Sequence, residues 1–237
     1  MEQQQTWRRE LPNYKQVAPE IEDLPFQARE AINVLRGNIQ LSGANLKVIA
    51  VTSAVANEGK SSIAFRLTKS LAGLKKRTLY LDCDIRNSVT MSRYGMSGQV
   101  QGLTEYLCGA AAMNDIVYRT QDKYMDVILT GAVAPNPSEL VSGKLFTLLL
   151  DEMRKRYDYI IVDTPPINPV IDGTMIAKRC DGTVMVIESG QTDRMQAVRA
   201  KRQLEYAGIK LLGAVLNKVG AAKKGYGYGY GYGYGYG

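Results

Sequence analysis

The chain alternates between short apolar runs and longer stretches in which apolar residues recur every three or four positions. The apolar runs predict strands at 48–52, 77–81, 125–129, 159–163, 183–187 and 210–216. The longer stretches predict helices at 26–41, 63–74, 143–157 and 192–206, with a short helix at 102–107. Strands that alternate with helices in this way indicate an α/β fold, in which a doubly wound, mostly parallel sheet is flanked by helices.

The same spacing predicts which side chains of the helices face the core. They are Phe26, Ile32, Leu35 and Ile39 in the first helix, Ile63, Leu67, Leu71 and Leu74 in the second, and Leu145, Leu148, Leu149 and Met153 in the helix at 143–157. Loops are expected at 87–101 and 130–138. In such a sheet, ligands bind beyond the carboxyl ends of the strands, so chemistry is expected in the residues that follow each strand.

The first strand runs into a loop with the pattern of a phosphate-binding loop. The pattern G-x-x-x-x-G-K-S/T is met at Gly59, Lys60 and Ser61, whereas Ala54 stands at its first glycine position. Backbone N–H groups at the helix start would surround phosphate oxygens, the lysine would reach the β- and γ-phosphates, and the serine would ligate Mg²⁺. The predicted nucleotide contacts are Asn57, Glu58, Gly59, Lys60, Ser61 and Ser62. An ordinary turn with a surface lysine is the alternative interpretation.

Acidic residues stand at the ends of two further strands. Asp82 and Asp84 follow the second strand, and Asp163 ends the fourth. Carboxylates two residues apart on an extended chain point to the same side. Asp163 is predicted to hold Mg²⁺ as the acid of a Walker B strand. Asp82 and Asp84 are predicted either to join Asp163 and Ser61 in that metal site or to form an ordinary polar strand end. Asn217, at the end of the last strand, is predicted either to contact an adenine edge or to cap a turn.

Composition restricts the classes of function. The chain has 237 residues and 45% hydrophobic content, which suits one α/β domain with a full core and tails. No apolar run of about 18 residues and no signal peptide is visible, so no membrane segment is expected. The net charge is +7, but the basic residues are dispersed, so no nucleic-acid partner is predicted. Three distant cysteines are typical of buried thiols in a reducing cytosol.

The sequence divides into three parts. Polar, proline-containing residues 1–24 predict a flexible N-terminal arm, and 25–220 predict the folded domain. From Gly225 to the end, glycine and tyrosine alternate strictly, which predicts a disordered tail over 221–237. That tail is either a sticky low-complexity segment or a tethered cluster of phosphate acceptors, with a maximum reach of about 45 Å.

These stretches together resemble the bacterial tyrosine kinases of capsule and exopolysaccharide synthesis. The family's Walker A loop is matched by 54–61, its Walker A′ motif (apolar strand, then Asp-x-Asp-x-Arg) by 79–86, and its Walker B motif (ending Asp-x-Pro-Pro) by 160–166. The Gly-Tyr repeat is similar to the family's C-terminal tyrosine cluster. The resemblance extends from about Phe26 to the C-terminus and makes 25–220 a P-loop kinase domain.

The resemblance implies a protein-tyrosine kinase that transfers the γ-phosphate of ATP to its own tail, in trans, with the help of Mg²⁺. The implied catalytic residues are Lys60, Asp82, Asp84 and Arg86. Asp82 either accepts the tyrosine proton or serves as a metal ligand only. The implied acceptors are Tyr226, Tyr228, Tyr230, Tyr232, Tyr234 and Tyr236.

The resemblance also implies partners. They are a transmembrane activator (a polysaccharide co-polymerase) whose cytoplasmic tail completes the nucleotide site, further copies of the chain in a ring, and a cognate tyrosine phosphatase. The expected location is the cytoplasm, at the inner face of the plasma membrane, and the expected task is the regulation of polysaccharide synthesis and export. The family's ring motif E-x-x-R-x-x-R is matched at Glu30 and Arg36, while Asn33 stands at its middle position.

Two other classes of protein remain as alternatives. Partitioning and cell-division ATPases of the same fold act as ATP-switched dimers on DNA or membrane, but they carry a signature lysine where this chain has Val55. A non-catalytic scaffold would not need the intact Lys60 and the three aspartates. Mass spectrometry after incubation with ATP and Mg²⁺ separates all three classes.

Overall fold

The computed structural model describes residues 15–19, 23–95 and 100–220. Their core is a seven-stranded sheet of order β3-β4-β2-β5-β1-β6-β7, in which β3 is antiparallel to β4 and the other pairs are parallel. The strands are β1 (Val48–Ser53), β2 (Thr78–Asp82), β3 (Val117–Arg119), β4 (Met125–Ile128), β5 (Tyr159–Asp163), β6 (Gly182–Glu188) and β7 (Leu211–Asn217). The predicted fold class is confirmed.

Helices cover both faces of this sheet. They are α1 (Phe26–Leu41), α2 (Lys60–Ala72), α3 (Thr90–Arg93), α4 (Leu103–Leu107), α5 (Pro137–Ser142), α6 (Lys144–Arg156), α7 (Asp172–Ala177) and α8 (Arg194–Tyr206), with a 3₁₀ turn at Met113–Asp115. Successive residues of the central strands enter opposite cores: Val48 packs in the cluster that includes α6, and Ile49 in the cluster that includes α1 and α2. Burial on both faces explains why these strands are continuously apolar.

The elements that the sequence did not predict are short. They are β3, α3, α5 and α7, each of three to six residues. α3 lies inside the predicted loop 87–101, and α5 begins within the predicted loop 130–138. Segments of this length carry too few periodic positions to be distinguished from loops.

The predicted inward faces need correction at four positions. Leu145 and Leu148 of α6 are 37% and 53% exposed, whereas the buried face is formed by Phe146, Leu149, Leu150 and Met153. The run 145–150 is apolar at almost every position, so its spacing allows two faces, and the direction of the helix axis selects one. Phe26 begins α1 and is 68% exposed, and Leu74, two residues beyond the end of α2, is 45% exposed.

Part of the predicted N-terminal arm pairs with the sheet. The backbone N–H of Val17 donates to the Arg119 carbonyl at 2.9 Å, and the Arg119 N–H donates to the Lys15 carbonyl at 3.0 Å. Gln16 thereby forms a parallel bridge beside β3. Residues 15–17 therefore pair with the β3 edge of the sheet through a single bridge.

Candidate active site

The phosphate loop connects β1 to α2 with two left-handed residues. Asn57 has φ 67° and Gly59 has φ 93°. A Cβ atom on Gly59 would lie 2.1 Å from Nδ2 of Asn217, so both the backbone conformation and the close approach require glycine. The turn ends where the Ile63 N–H donates to the Gly59 carbonyl at 3.0 Å and begins α2. Lys60 is consequently the first residue of that helix.

Glu58 braces the loop from inside the protein. Its side chain is 1% exposed and accepts hydrogen bonds from the Val55 N–H at 2.8 Å and from the Thr192 hydroxyl. Glu58 was predicted to contact nucleotide, but its side chain points away from the cavity. Only its backbone could contact a bound nucleotide. The sequence did not predict that Thr192 supports the phosphate loop. Thr192 lies just before α8, and no local motif connects that position with the distant loop.

The end of β7 clamps the same loop. The Asn217 side-chain amide donates to the Glu58 carbonyl at 2.9 Å. The Lys218 ammonium donates to the Asn57 carbonyl at 2.8 Å and to the Glu188 carboxylate at 2.7 Å. Of the two roles predicted for Asn217, the bracing of a turn is therefore present, and an adenine contact stays a prediction.

The loop forms one wall of a cavity of about 580 Å³. The volume is within the range of small-molecule and cofactor sites. Five of the six loop residues predicted to contact nucleotide line the cavity, as does Asn217, and Asp84 and Arg86 also face it. The residues that line it are Ala56, Asn57, Gly59, Lys60, Ser61, Ser62, Arg66, Asp84, Arg86, Asn87, Val89, Arg93, Pro165, Pro166, Pro169, Val170, Asn217 and Lys218.

An ion pair joins the phosphate loop to the Walker A′ motif across this cavity. Nζ of Lys60 lies 2.8 Å from Oδ2 of Asp84, and both side chains are almost buried. Burial lowers the pKa of Lys60, but the carboxylates of Asp163 and Asp84 outweigh burial and raise the pKa above its ordinary value. The lysine is therefore a fixed positive charge at the helix start.

Asp82 and Asp163 are register partners at the ends of β2 and β5. Burial raises the pKa of Asp163 from 3.8 to about 7, against the opposing charge of Lys60. Burial also raises the pKa of Asp82, and hydrogen bonds from Ser88 and Thr90 oppose that shift. Oδ2 of Asp163 accepts from the Tyr80 hydroxyl at 3.0 Å. The Walker B aspartate therefore lies beside Asp82, and the carboxylates of Asp163, Asp84 and Asp82 all raise the pKa of the Lys60 ammonium.

The described residues fit a magnesium ion that is shared with phosphate. Oδ1 of Asp163 is buried and has no hydrogen-bond partner among the described residues. A buried acceptor without a donor is costly unless a cation or water completes it. Within the same residues, no cluster of three or more acidic, cysteine or histidine side chains forms a metal cage. Mg²⁺ usually binds through one or two carboxylates, water and substrate phosphates, so such a cage is not needed.

A second ion pair at the cavity includes a residue that lies in none of the motifs. Nε of Arg86 donates to Oδ2 of Asp172 at 2.5 Å, and the Ser138 hydroxyl donates to Oδ1 of the same carboxylate. Asp172 begins α7 and is fully buried. Sequence reasoning missed Asp172 and Ser138, because both stand in short elements without a recognisable pattern.

Comparison with known proteins identifies the family. Residues 46–191 match a family described as an AAA domain. The tyrosine-protein kinase CpsD of Streptococcus agalactiae is 41% identical over 193 residues, which cover 81% of this chain and 84% of that protein. The chain belongs to the bacterial tyrosine kinases. The tyrosine-protein kinase YwqD of Bacillus subtilis is 37% identical over 190 residues, covering 79% and 80% of the two chains.

Solved structures agree with this assignment. The kinase domain of the Escherichia coli tyrosine kinase ETK matches with a TM-score of 0.79 at 25% identity, covering 94% of this chain and 98% of that one. The chimerical protein CapA2B2 matches with a TM-score of 0.78 at 27% identity, covering 91% and 99%. The septum site-determining protein MinD of Pyrococcus horikoshii is 20% identical, with a TM-score of 0.65 and coverage of 75% of this chain and 72% of that one. At 20% identity this likeness shows a shared fold alone. The relatives at 41% and 37% identity are tyrosine-protein kinases, so the cell-division alternative is not favoured.

The bacterial tyrosine kinase assignment confirms the predicted enzyme class and the predicted P-loop NTPase fold. Among the helices of the described part of the chain, none has the length and apolar character needed to cross a bilayer. The six predicted acceptor tyrosines fall in 221–237, outside the described residues. Their role and that of each predicted site residue remain predictions.

Proposed function

We propose that this kinase transfers the γ-phosphate of ATP to tyrosines of its own C-terminal segment, in trans, and thereby regulates capsular and extracellular polysaccharide synthesis and export. The observation that supports this best is one cavity bounded by the phosphate loop and the Asp-x-Asp-x-Arg motif, with Lys60 and Arg86 both facing it. Phosphoryl transfer needs mostly positioning and neutralisation of developing charge, and those two cations supply both.

Nucleotide binding would rearrange the Lys60–Asp84 ion pair. Nζ of Lys60 donates to Asp84 at 2.8 Å, so the β- and γ-phosphates compete with this carboxylate for the ammonium. When the lysine turns to phosphate, Asp84 becomes available beside Ser61 and Asp163. When bound there, Mg²⁺ would neutralise phosphate charge. The chain itself supplies the loop amides that hold the phosphates.

The tyrosine proton would reach Asp82 through a neighbouring hydroxyl. A phenol of pKa about 10 needs a base as it attacks. Asp82 is fully buried, and its Oδ2 accepts a hydrogen bond at 2.6 Å from the hydroxyl of Ser88, which is exposed. Ser88 stands between Asn87 and Val89, which line the cavity, and we propose that its hydroxyl passes the proton from the acceptor to Asp82. If Asp82 were a metal ligand only, the Ser88 hydroxyl would not be needed for phosphoryl transfer.

The proposed activator is a transmembrane protein whose cytoplasmic tail completes this site and holds the kinase at the inner face of the plasma membrane. We expect low ATP affinity in the isolated chain and a large gain with that tail, because the tail would preorganise the site. The chain would also assemble into a ring and be reset by a tyrosine phosphatase. Titration of ATP with and without the activator tail tests this, and micromolar affinity without the tail contradicts it.

Replacement of Lys60 tests the kinase activity directly. Lys60→Met is expected to abolish tail phosphorylation, because the charge that reaches the β- and γ-phosphates is lost. Lys69→Met is the matched control, since Lys69 is exposed on the same helix. The measurement is mass spectrometry after incubation with ATP and Mg²⁺, with circular dichroism to verify folding. Near-normal phosphotyrosine in a folded Lys60→Met protein contradicts the proposal.

Tail phosphorylation is proposed to disassemble the ring. Each phosphotyrosine adds about −1.5 to −2 charges at pH 7, so six of them would change the net charge of +7 to roughly −2 to −5. The anionic tail would be repelled by the carboxylates and nucleotide of a neighbouring site. Analytical ultracentrifugation should show assembly of the unphosphorylated protein and of a six-fold Tyr→Phe variant, and monomers after phosphorylation. Identical sedimentation of all three would leave the tail as substrate only.

A further inference from the structure

Arg86 is held from one side only. Nε donates to Asp172 at 2.5 Å and Nη2 approaches the Ser138 hydroxyl at 3.4 Å, whereas Nη1 has no protein partner among the described residues. The arginine side chain is 42% exposed and lines the cavity, while the Asp172 side chain is fully buried. One edge of the guanidinium is therefore fixed by the protein, and its free end remains available to an anion in the cavity.

The carboxylate that fixes Arg86 is itself held rigidly. Asp172 is the first residue of α7, and a Cβ atom on the next residue, Gly173, would lie 2.5 Å from the Pro165 carbonyl. This close approach anchors α7 to the loop that follows the Walker B strand. Ser138 reaches the second carboxylate oxygen from α5. Two separate elements thus converge on a single arginine.

The burial of Asp172 makes this contact specific. A fully buried carboxylate is costly without a cationic partner, so Asp172 strongly favours the conformation of Arg86 that reaches it. A planar guanidinium that is fixed along one edge presents its remaining N–H donors in a defined direction, which suits bidentate binding of phosphate. An exposed arginine without such a partner would lose side-chain entropy on binding.

We propose that Asp172 and Ser138 are positioning residues that aim Arg86 at the phosphoryl group in transfer. This inference rests on the proposed kinase function. It gives Arg86 a fixed orientation before nucleotide binds, in contrast to Lys60, which must leave Asp84. Asp172 acts through Arg86 and makes no contact with substrate of its own.

The test compares Asp172→Asn, Ser138→Ala, Arg86→Ala and the double variant Asp172→Asn/Arg86→Ala in the full chain with its activator tail. At saturating ATP, Asp172→Asn should lower kcat for tail phosphorylation by about a hundredfold, because a misplaced charge costs that much. Ser138→Ala should cost about fivefold, the equivalent of one ordinary hydrogen bond. Nucleotide Kd should change little. In the Arg86→Ala background, Asp172→Asn should cause no further loss of kcat.

Two controls separate positioning from a merely structural role. Asp181→Asn breaks another arginine–aspartate pair, Arg154–Asp181, which lies outside the cavity, and should lower stability without changing kcat. Added guanidinium ion should partly restore kcat of Arg86→Ala and should fail to do so in the double variant, since its binding site requires the Asp172 carboxylate.

A kcat of Asp172→Asn within threefold of wild type, or an equal loss from Asp172→Asn with and without Arg86, would overturn the inference while leaving the kinase function intact. Absence of phosphotyrosine in the wild-type protein would instead overturn the proposed function, and the inference with it.

Discussion

Asp82 and Asp163 occupy equivalent places at the ends of adjacent parallel strands, yet their environments differ. Both oxygens of Asp82 accept hydrogen bonds, from the Asp84 N–H at 3.1 Å and from the Ser88 hydroxyl at 2.6 Å. Asp163 has one satisfied oxygen and one buried oxygen without a partner in the described part of the chain. The protein itself satisfies both oxygens of Asp82, whereas the second oxygen of Asp163 requires a cation or a water molecule as its partner. From this difference we predict that Asp82 serves as the proton acceptor and Asp163 as the metal ligand.

Among the substitutions of these carboxylates, the largest effect is expected from Asp163→Asn. The amide can still accept from Tyr80 but cannot hold a divalent cation as well, so tail phosphorylation should fall by about a thousandfold. The measurement is initial rate at saturating ATP and Mg²⁺, with thermal unfolding to verify folding. A loss smaller than that of Asp82→Asn would reverse the assignment of the two carboxylates.

The free energy of unfolding should depend on the ionisation of Asp163. The unfolded chain loses this proton near pH 3.8 and the folded chain near pH 7, so the folded state holds the proton over that interval. Stability should therefore fall as pH rises from about 4 to about 7, by up to about 4 kcal/mol, and then level off. Urea unfolding at several pH values checks this, and Asp163→Asn should remove most of the slope. An equal slope in Asp163→Asn would assign it to other groups.

Asp82→Asn is expected to lower the rate by about a hundredfold, the contribution of a positioned base. Asp84→Asn should cost at least as much, because Asp84 reaches the cavity and pairs with Lys60. The loss in Asp82→Asn should lie in kcat, with the affinity for nucleotide preserved. Changes of less than threefold at both positions would show that the Asp-x-Asp pair has no part in the chemistry.

Ser88→Ala should reduce kcat by about tenfold, since a water molecule can partly replace the hydroxyl that bonds Asp82. Ser92→Ala is a suitable control, because the Ser92 hydroxyl donates only to the nearby Val89 carbonyl. The effect of Ser88→Ala should disappear in an Asp82→Asn background. An undiminished effect there would exclude the relay.

The smallest expected effect is the release of protons when Mg²⁺ and nucleotide bind. Burial raises the pKa of Asp163 to about 7, so binding of Mg²⁺ and nucleotide at pH 7 should release a fraction of a proton as the metal takes the carboxylate. Calorimetry in two buffers of different ionisation enthalpy measures this release. Asp163→Asn should abolish it, and nucleotide without Mg²⁺ should not produce it. Proton release that persists in Asp163→Asn would show that another group loses the proton.

The sequence predicted the parts of this site that carry a local pattern. The phosphate loop, the Asp-x-Asp-x-Arg stretch and the Walker B motif each combine an apolar run with a distinctive polar ending, and residues of all three line one cavity. Asp82 and Asp163 are buried behind its wall. The parts that it missed are bracing contacts between segments far apart in the chain, such as Thr192 with Glu58 and Asp172 with Arg86. Such pairs depend on how elements pack, and a single sequence records no trace of them.

The clamp at the end of β7 also sets a limit for truncating the protein. Asn217 and Lys218 donate hydrogen bonds to the carbonyls of Glu58 and Asn57, although in the sequence they stand only a few residues before the Gly-Tyr repeat. A chain cut after residue 220 keeps both contacts and should retain the nucleotide site. Truncation after residue 215 would remove both the tail and the two residues that hold the phosphate loop. Loss of activity in that variant would therefore not show that the tail tyrosines are required.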